Sequence, residues 1–143
     1  MKNIFALLMI LVLSGCSKEK KPIAYGNDAC DFCRMTIVDK IHAAEIVTDK
    51  AKVYKFDAVE CMINYKNDMA KEKVDMFFTN HYQKPEELIR AEQATFLISE
   101  GIPSPMGEFI TAFQTKDAAE DVLTSEGGKL YTWDELLKQQ ASK

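Results

Sequence analysis

The residues best suited to chemistry in this chain are Cys30-Asp31-Phe32-Cys33-Arg34-Met35. Once Cys16 is set apart by the signal described below, three thiols remain: Cys30, Cys33 and Cys61. An odd set cannot pair fully within one chain, so at least one thiol has another use. Cys-x-x-Cys often marks structural zinc, which needs four closed ligands. A second such pair is missing, leaving only Cys61, His42 and His81 to complete a site. A thioredoxin-like role needs the pair to open a helix directly after a buried strand, where the helix N-terminus lowers the first thiol's pKa. Here the pair follows a polar stretch. A plain disulfide, Cys30–Cys33 or one involving Cys61, is the simplest alternative in an oxidising compartment.

Met35 opens a further reading. If residues 33–35 enter a strand, Cys33 and Met35 point to one face about 6.6 Å apart, and the flexible thioether can swing toward the thiolate. Thiolate with thioether is a soft donor pair that selects Cu(I). A third donor must come from elsewhere, and Pro103-Ser104-Pro105-Met106-Gly107 is the best candidate, a stiff loop presenting one methionine. His42 is a candidate nitrogen ligand or supporting donor, since imidazole suits copper, although a packed side chain is an equal reading. His81 reads as a loop residue, and Met62, Met69 and Met76 as packing. Cys61, near a helix start, reads as a small buried hydrophobe. Gly-x-Ser-x-Gly, phosphate-loop and His-Glu-x-x-His patterns are all missing, which argues against an enzyme.

The elements that must position these groups follow from periodicity. Strands are expected at 35–38, 43–48 and 52–56, with a turn around Asp49-Lys50. A helix is expected over 58–70 behind Asp57 as N-cap. Next come a strand at 76–79, a short helical turn at Pro85–Leu88, strands at 94–99 and 108–114, and a helix from Lys116 that Gly127-Gly128 ends. A short strand at 130–132 precedes a last helix, opened by the capping box Thr132/Glu135. The fold class is α+β. Residues 52–60 have a weak echo in 108–121, which suggests two small related strand-strand-helix units packed together. Each unit has a methionine shortly before its main strand, Met35 and Met106, so that face-to-face packing would bring both toward one cleft.

At the N-terminus, Lys2, the apolar run Ile4–Leu13 and Leu13-Ser14-Gly15-Cys16 form a lipoprotein signal. The run is too short to span a bilayer, which takes about 20 apolar residues. Residues 1–15 are thus expected to be removed, which changes the net charge from −4 to −5 through loss of Lys2. Residues 16–29 read as a lipidated cysteine and flexible linker, and 30–143 as the folded domain. With no basic patch, nucleic-acid binding is disfavoured.

Together these features resemble the NosL family of copper-binding lipoproteins, accessory factors for nitrous oxide reductase assembly. The resemblance rests on Cys16, on Cys30-x-x-Cys33-x-Met35, on His42-Ala43-Ala44-Glu45-Ile46 before the strand ending Phe56-Asp57, and on Ser104-Pro105-Met106-Gly107 leading to Ala112-Phe113. It implies acylation of Cys16 and attachment to a membrane by the lipid, in the cell envelope facing the periplasm. It also implies a Cu(I) chaperone using Cys33, Met35 and Met106 as ligands. The recipient would be nitrous oxide reductase or its maturation complex. One departure is Arg34, where many members have glycine. The alternative is a cell-envelope thiol-disulfide protein using Cys30 and Cys33.

Overall fold

The computed structural model describes residues 17–69 and 72–143. The expected signal peptide, residues 1–15, and the expected acylation site, Cys16, lie outside the described residues. Strands β1 (Ala44–Thr48) and β2 (Val53–Phe56) form a hairpin, followed by helix α1 (Val59–Asp68), β3 (Val74–His81) and β4 (Lys84–Arg90). After a single 3-10 turn at Ala91–Gln93 come β5 (Thr95–Ile98), β6 (Ile110–Phe113), α2 (Lys116–Glu126), β7 (Lys129–Tyr131) and α3 (Trp133–Ala141). Two antiparallel sheets result, ordered β2-β1-β3-β4 and β6-β5-β7. The fold is α+β, as the periodicity predicts.

The weak internal echo is a real repeat of topology. Strand, strand, helix, strand occurs twice, each time with the first strand at the centre of the three. The repeat thus includes a third strand that the sequence echo did not reveal. The methionines are not equivalent within it. Met35 precedes the first strand of its unit, whereas Met106 lies between the first and second strands of the other. The β1–β2 connection is a tight turn with Ala51 at φ +61°, but the β5–β6 connection runs from Ser99 to Phe109. Trp133, at the start of α3, joins the sheets: its ring lies 5.1 Å from Phe77 of β3 and 5.6 Å from Phe96 of β5. Phe56, Phe96, Ile46, Met62 and Leu136 fill the shared core, and Leu97, Phe113 and Ala119 pack under α2.

Several local expectations are corrected. Pro85 starts no helical turn; it lies in β4, an edge strand, where a missing N–H costs no ladder bond. His81 is not a loop residue but the fully buried end of β3, with Nδ1 2.9 Å from Gln83 Oε1 and Nε2 3.4 Å from Glu87. Residues 35–38 form no strand. They belong to an irregular hairpin held by Cys30 N–H to Met35 O (2.8 Å), Ile37 N–H to Asp28 O (2.9 Å) and a single bridge between Ala29 and Thr36. Within it Arg34 donates to Cys30 O and adopts φ +69°. That left-handed step breaks the alternation on which the same-face pairing of Cys33 and Met35 depended. It also gives the physical reason why glycine suits position 34.

The stretch read as a flexible linker is a strap from Lys21 onward. One row across the outer face of the first sheet reads Lys55, Glu45, Phe78, Arg90. The strap lies over it: Lys21 N–H donates to Glu45 Oε2 at 3.0 Å, Lys55 Nζ donates to Pro22 O at 2.7 Å, and Ile23 is buried. Tyr25 Oη donates to Asn80 Oδ1 at 2.7 Å, and Lys20 sits over the Phe78 ring. Glu45 is thereby fully buried in a central strand with Oε1 unpartnered.

Two predictions follow from these local features. Burial pushes the Glu45 carboxyl up from 4.5 to about 7, against the pull of the Lys21 N–H and of Lys55. Between those values the folded chain holds more protons than the unfolded one, so this group's contribution to stability falls as pH rises through the window. Urea denaturation at pH 5 and pH 8 will show that loss in the wild type, and Glu45→Gln will remove most of it; equal loss in both proteins refutes the assignment. At position 34, Arg34→Gly relieves the left-handed strain, and the Asp31 pair it loses, at 4.0 Å and largely exposed, is worth little. A net gain of about 0.5–1 kcal/mol is expected, because the strain relieved exceeds glycine's extra chain entropy. The same denaturation experiment measures it.

Candidate metal centre

Asp31 is the residue that docks the cysteine turn. Its N–H donates to Lys55 O at 2.8 Å, and its carboxylate accepts from Lys55 N–H at 2.8 Å, so the turn lies alongside the end of β2. Lys55 Nζ closes the attachment on Asp28 Oδ2 at 2.6 Å. Two residues beyond Lys55 the chain reaches Asp57, and one helical turn later Cys61. That spacing puts Asp57 and Cys61 on one side of the start of α1.

Cys30, Cys33, Asp57 and Cys61 converge there, each offering a ligand atom within 4.8 Å of the others. The Cys33 thiol donates to Asp57 Oδ2 at 3.4 Å, and Cys33 N–H points at Cys30 Sγ, 3.5 Å away. Cys30, Cys61 and Asp57 are buried, whereas Cys33 is half-buried and opens the cluster to solvent. All three thiols are unpaired. Asp57 Oδ1 is buried without a partner. The neighbouring Cys61 thiol brings the Cys30 pKa down to about 6, against its own burial. Burial raises Cys33 to about 11, assisted by the negative charges of Cys30 and Asp57. Cys61 is pushed far upward by the neighbouring Cys30, by burial and by Asp57. Sulfur and carboxylate donors are thus gathered with no cationic side chain among them. A soft metal ion would supply the missing positive charge and displace the thiol protons.

Of these four groups, Asp57 carries no sign of a site residue in the sequence, and Cys61 reads there chiefly as a small buried hydrophobe. Asp57 had the look of an N-cap, yet the cap position is Ala58, without a side-chain bond, and the Asp57 carboxylate faces Cys33. Cys61 is buried as expected, but against sulfur. The four-residue interval Asp57–Cys61, together with an unpaired third thiol, was the available signal.

The other sequence candidates are placed as follows. His42 is buried, with Nε2 3.0 Å from Thr111 Oγ1 on β6 and Nδ1 2.9 Å from Asp39 Oδ2. It lies outside the four-donor cluster and clamps the approach to β1 onto the second sheet. Met35 is 47% exposed, its carbonyl held by Cys30 N–H. Met106 is 41% exposed in the turn Ser104–Gly107, closed by Gly107 N–H to Ser104 O at 3.0 Å with Pro105 at its second position. Ser104 is hydrogen-bonded to Glu60, the neighbour of Cys61, which ties the methionine turn to the same helix start. Both thioethers are therefore solvent-accessible.

The family profile named NosL matches residues 23–141. Among solved structures, the copper chaperone NosL from Shewanella denitrificans superposes with a TM-score of 0.73 at 26% identity, over 83% of this chain and 96% of that one. No functionally curated protein matches the chain. The family match spans the hairpin that carries the thiols, both sheets and the methionine turn, and the chain belongs to the NosL family.

Proposed function

We propose that this protein is a Cu(I) carrier that passes its ion on by ligand exchange and performs no catalysis. The observation that carries this reading is the convergence of three free thiols and Asp57, with Cys33 the thiol that opens to solvent. Thiolate donors favour Cu(I), and the exposed thioethers of Met35 and Met106 are soft, replaceable donors suited to an ion in transit. The likeness to a copper chaperone supports copper as the metal. In this reading Cys33, Met35 and Met106 hold the ion for transfer, Cys30 is an additional thiolate, and His42 supports the fold. The recipient is nitrous oxide reductase or the membrane complex that matures it. Acylated Cys16 anchors the chain to a membrane in the cell envelope, facing the periplasm. Two or three acyl chains make that attachment stable.

A thiol-disulfide role is the second reading, favoured by the low pKa of Cys30 beside two further thiols. It requires a Cys30–Cys33 couple with a definable potential and is indifferent to Met106.

Competition titration of the reduced fragment 17–143 against a Cu(I) chelator separates the two. The carrier reading expects one Cu(I) per chain, at least a hundredfold weaker binding in Cys33→Ser, and about tenfold weaker binding in Met35→Ala or Met106→Ala, or about 1.4 kcal/mol each. Unchanged affinity in Cys33→Ser ends the carrier reading.

A further inference from the structure

The connection from β5 to β6 is long where its counterpart in the first repeat is tight, and its tip carries Met106. Its base is well fixed. Ser99 N–H donates to Phe109 O at 3.1 Å, Ser99 Oγ donates to Glu126 O at 2.9 Å, and Ile102 is buried under α2. Beyond Ile102 the tip makes two side-chain attachments to the rest of the chain among the described residues. One is the exposed pair Glu108–Lys143, and the other is the buried bond from Ser104 Oγ to Glu60 Oε1. Ser104 Oγ also accepts Phe109 N–H at 2.9 Å, so one hydroxyl both closes the tip on itself and moors it to α1.

Glu60 is poorly placed for any other duty. It is 2% exposed on the first turn of α1, its second oxygen has no partner, and burial raises its carboxyl above the usual range. A buried carboxyl is costly unless it is bonded, and Ser104 supplies its side-chain donor. Since Glu60 adjoins Cys61, the mooring fastens the methionine turn to the helix start that carries one of the thiols.

We propose that Glu60 and Ser104 are positioning residues for Met106: their hydrogen bond holds the Ser104–Gly107 turn against α1 so that the Met106 thioether is presented to an ion bound at Cys33. This deepens the Cu(I) reading and rests on it. Neither residue touches the ion; both act through the turn.

A double-mutant cycle on the full chain, reduced and in detergent, tests the proposal. Ser104→Ala is expected to weaken Cu(I) binding about as much as Met106→Ala, roughly tenfold. The double variant Ser104→Ala/Met106→Ala should bind no more weakly than Met106→Ala alone, and Ser104→Thr, which keeps the hydroxyl, should restore affinity. Independent, multiplying losses, or no rescue by threonine, overturn it. A metal-free arm stands apart from copper binding. With the methionine methyls labelled, Ser104→Ala and Glu60→Gln should each increase the Met106 methyl's mobility and leave that of Met62 unchanged. If the wild type binds no Cu(I), the carrier reading falls while this arm still reports on the mooring; if Met106 is as ordered in Ser104→Ala as in the wild type, the positioning role falls.

Discussion

The reciprocal pairing of Asp31 with Lys55 is the constraint on which the metal centre depends. An isolated six-residue turn with two cysteines has no fixed geometry in water. Two backbone-anchored hydrogen bonds to a strand of the main sheet provide one, and the Lys55 ammonium adds Asp28 and Pro22 to the same anchor. Because β2 ends at Phe56, the turn is carried to the point where the chain leaves the sheet and starts α1. Asp57 and Cys61 meet Cys30 and Cys33 there without any contribution from the second sheet. The cluster is therefore a property of the first repeat and its N-terminal strap.

The second repeat contributes something different. Its topology copies the first, but its hairpin connection has grown from a tight turn into the long excursion that carries Met106. Sulfur thus comes from unrelated positions of the two units: thiols before and after one hairpin, and a thioether within the other. His42 bonding to Thr111, and Trp133 lying between Phe77 and Phe96, hold the units in register. The scaffold repeats in its element order, and the sulfur groups lie where the two repeats differ.

What could be read from the sequence follows the range of the signals. The β1–β2 hairpin, the end of α2 at Gly127 and the Thr132/Glu135 capping box are local in cause, and each is found where the residues predict. Pro85, His81 and the 35–38 segment depart from their local signals because tertiary placement decides them: an edge position for the proline, a buried strand end for the histidine, a left-handed residue in the hairpin. Asp57 shows the difficulty at its sharpest, since an aspartate before a helix is an ordinary cap until a cysteine from elsewhere faces it. Cys33 and Cys30 were legible as chemistry; their carboxylate and third-thiol companions needed the fold.

The strap over the first sheet sets the reach of the molecule. In the lipid-anchored form proposed above, only residues 17–20 would separate acylated Cys16 from the first backbone hydrogen bond to the domain, at Lys21, and four extended residues cover at most about 14 Å. A leash that short would keep the domain close to the headgroups and limit its diffusion to a thin layer above the bilayer. In that arrangement, a recipient of its metal would have to expose its own docking point within that layer.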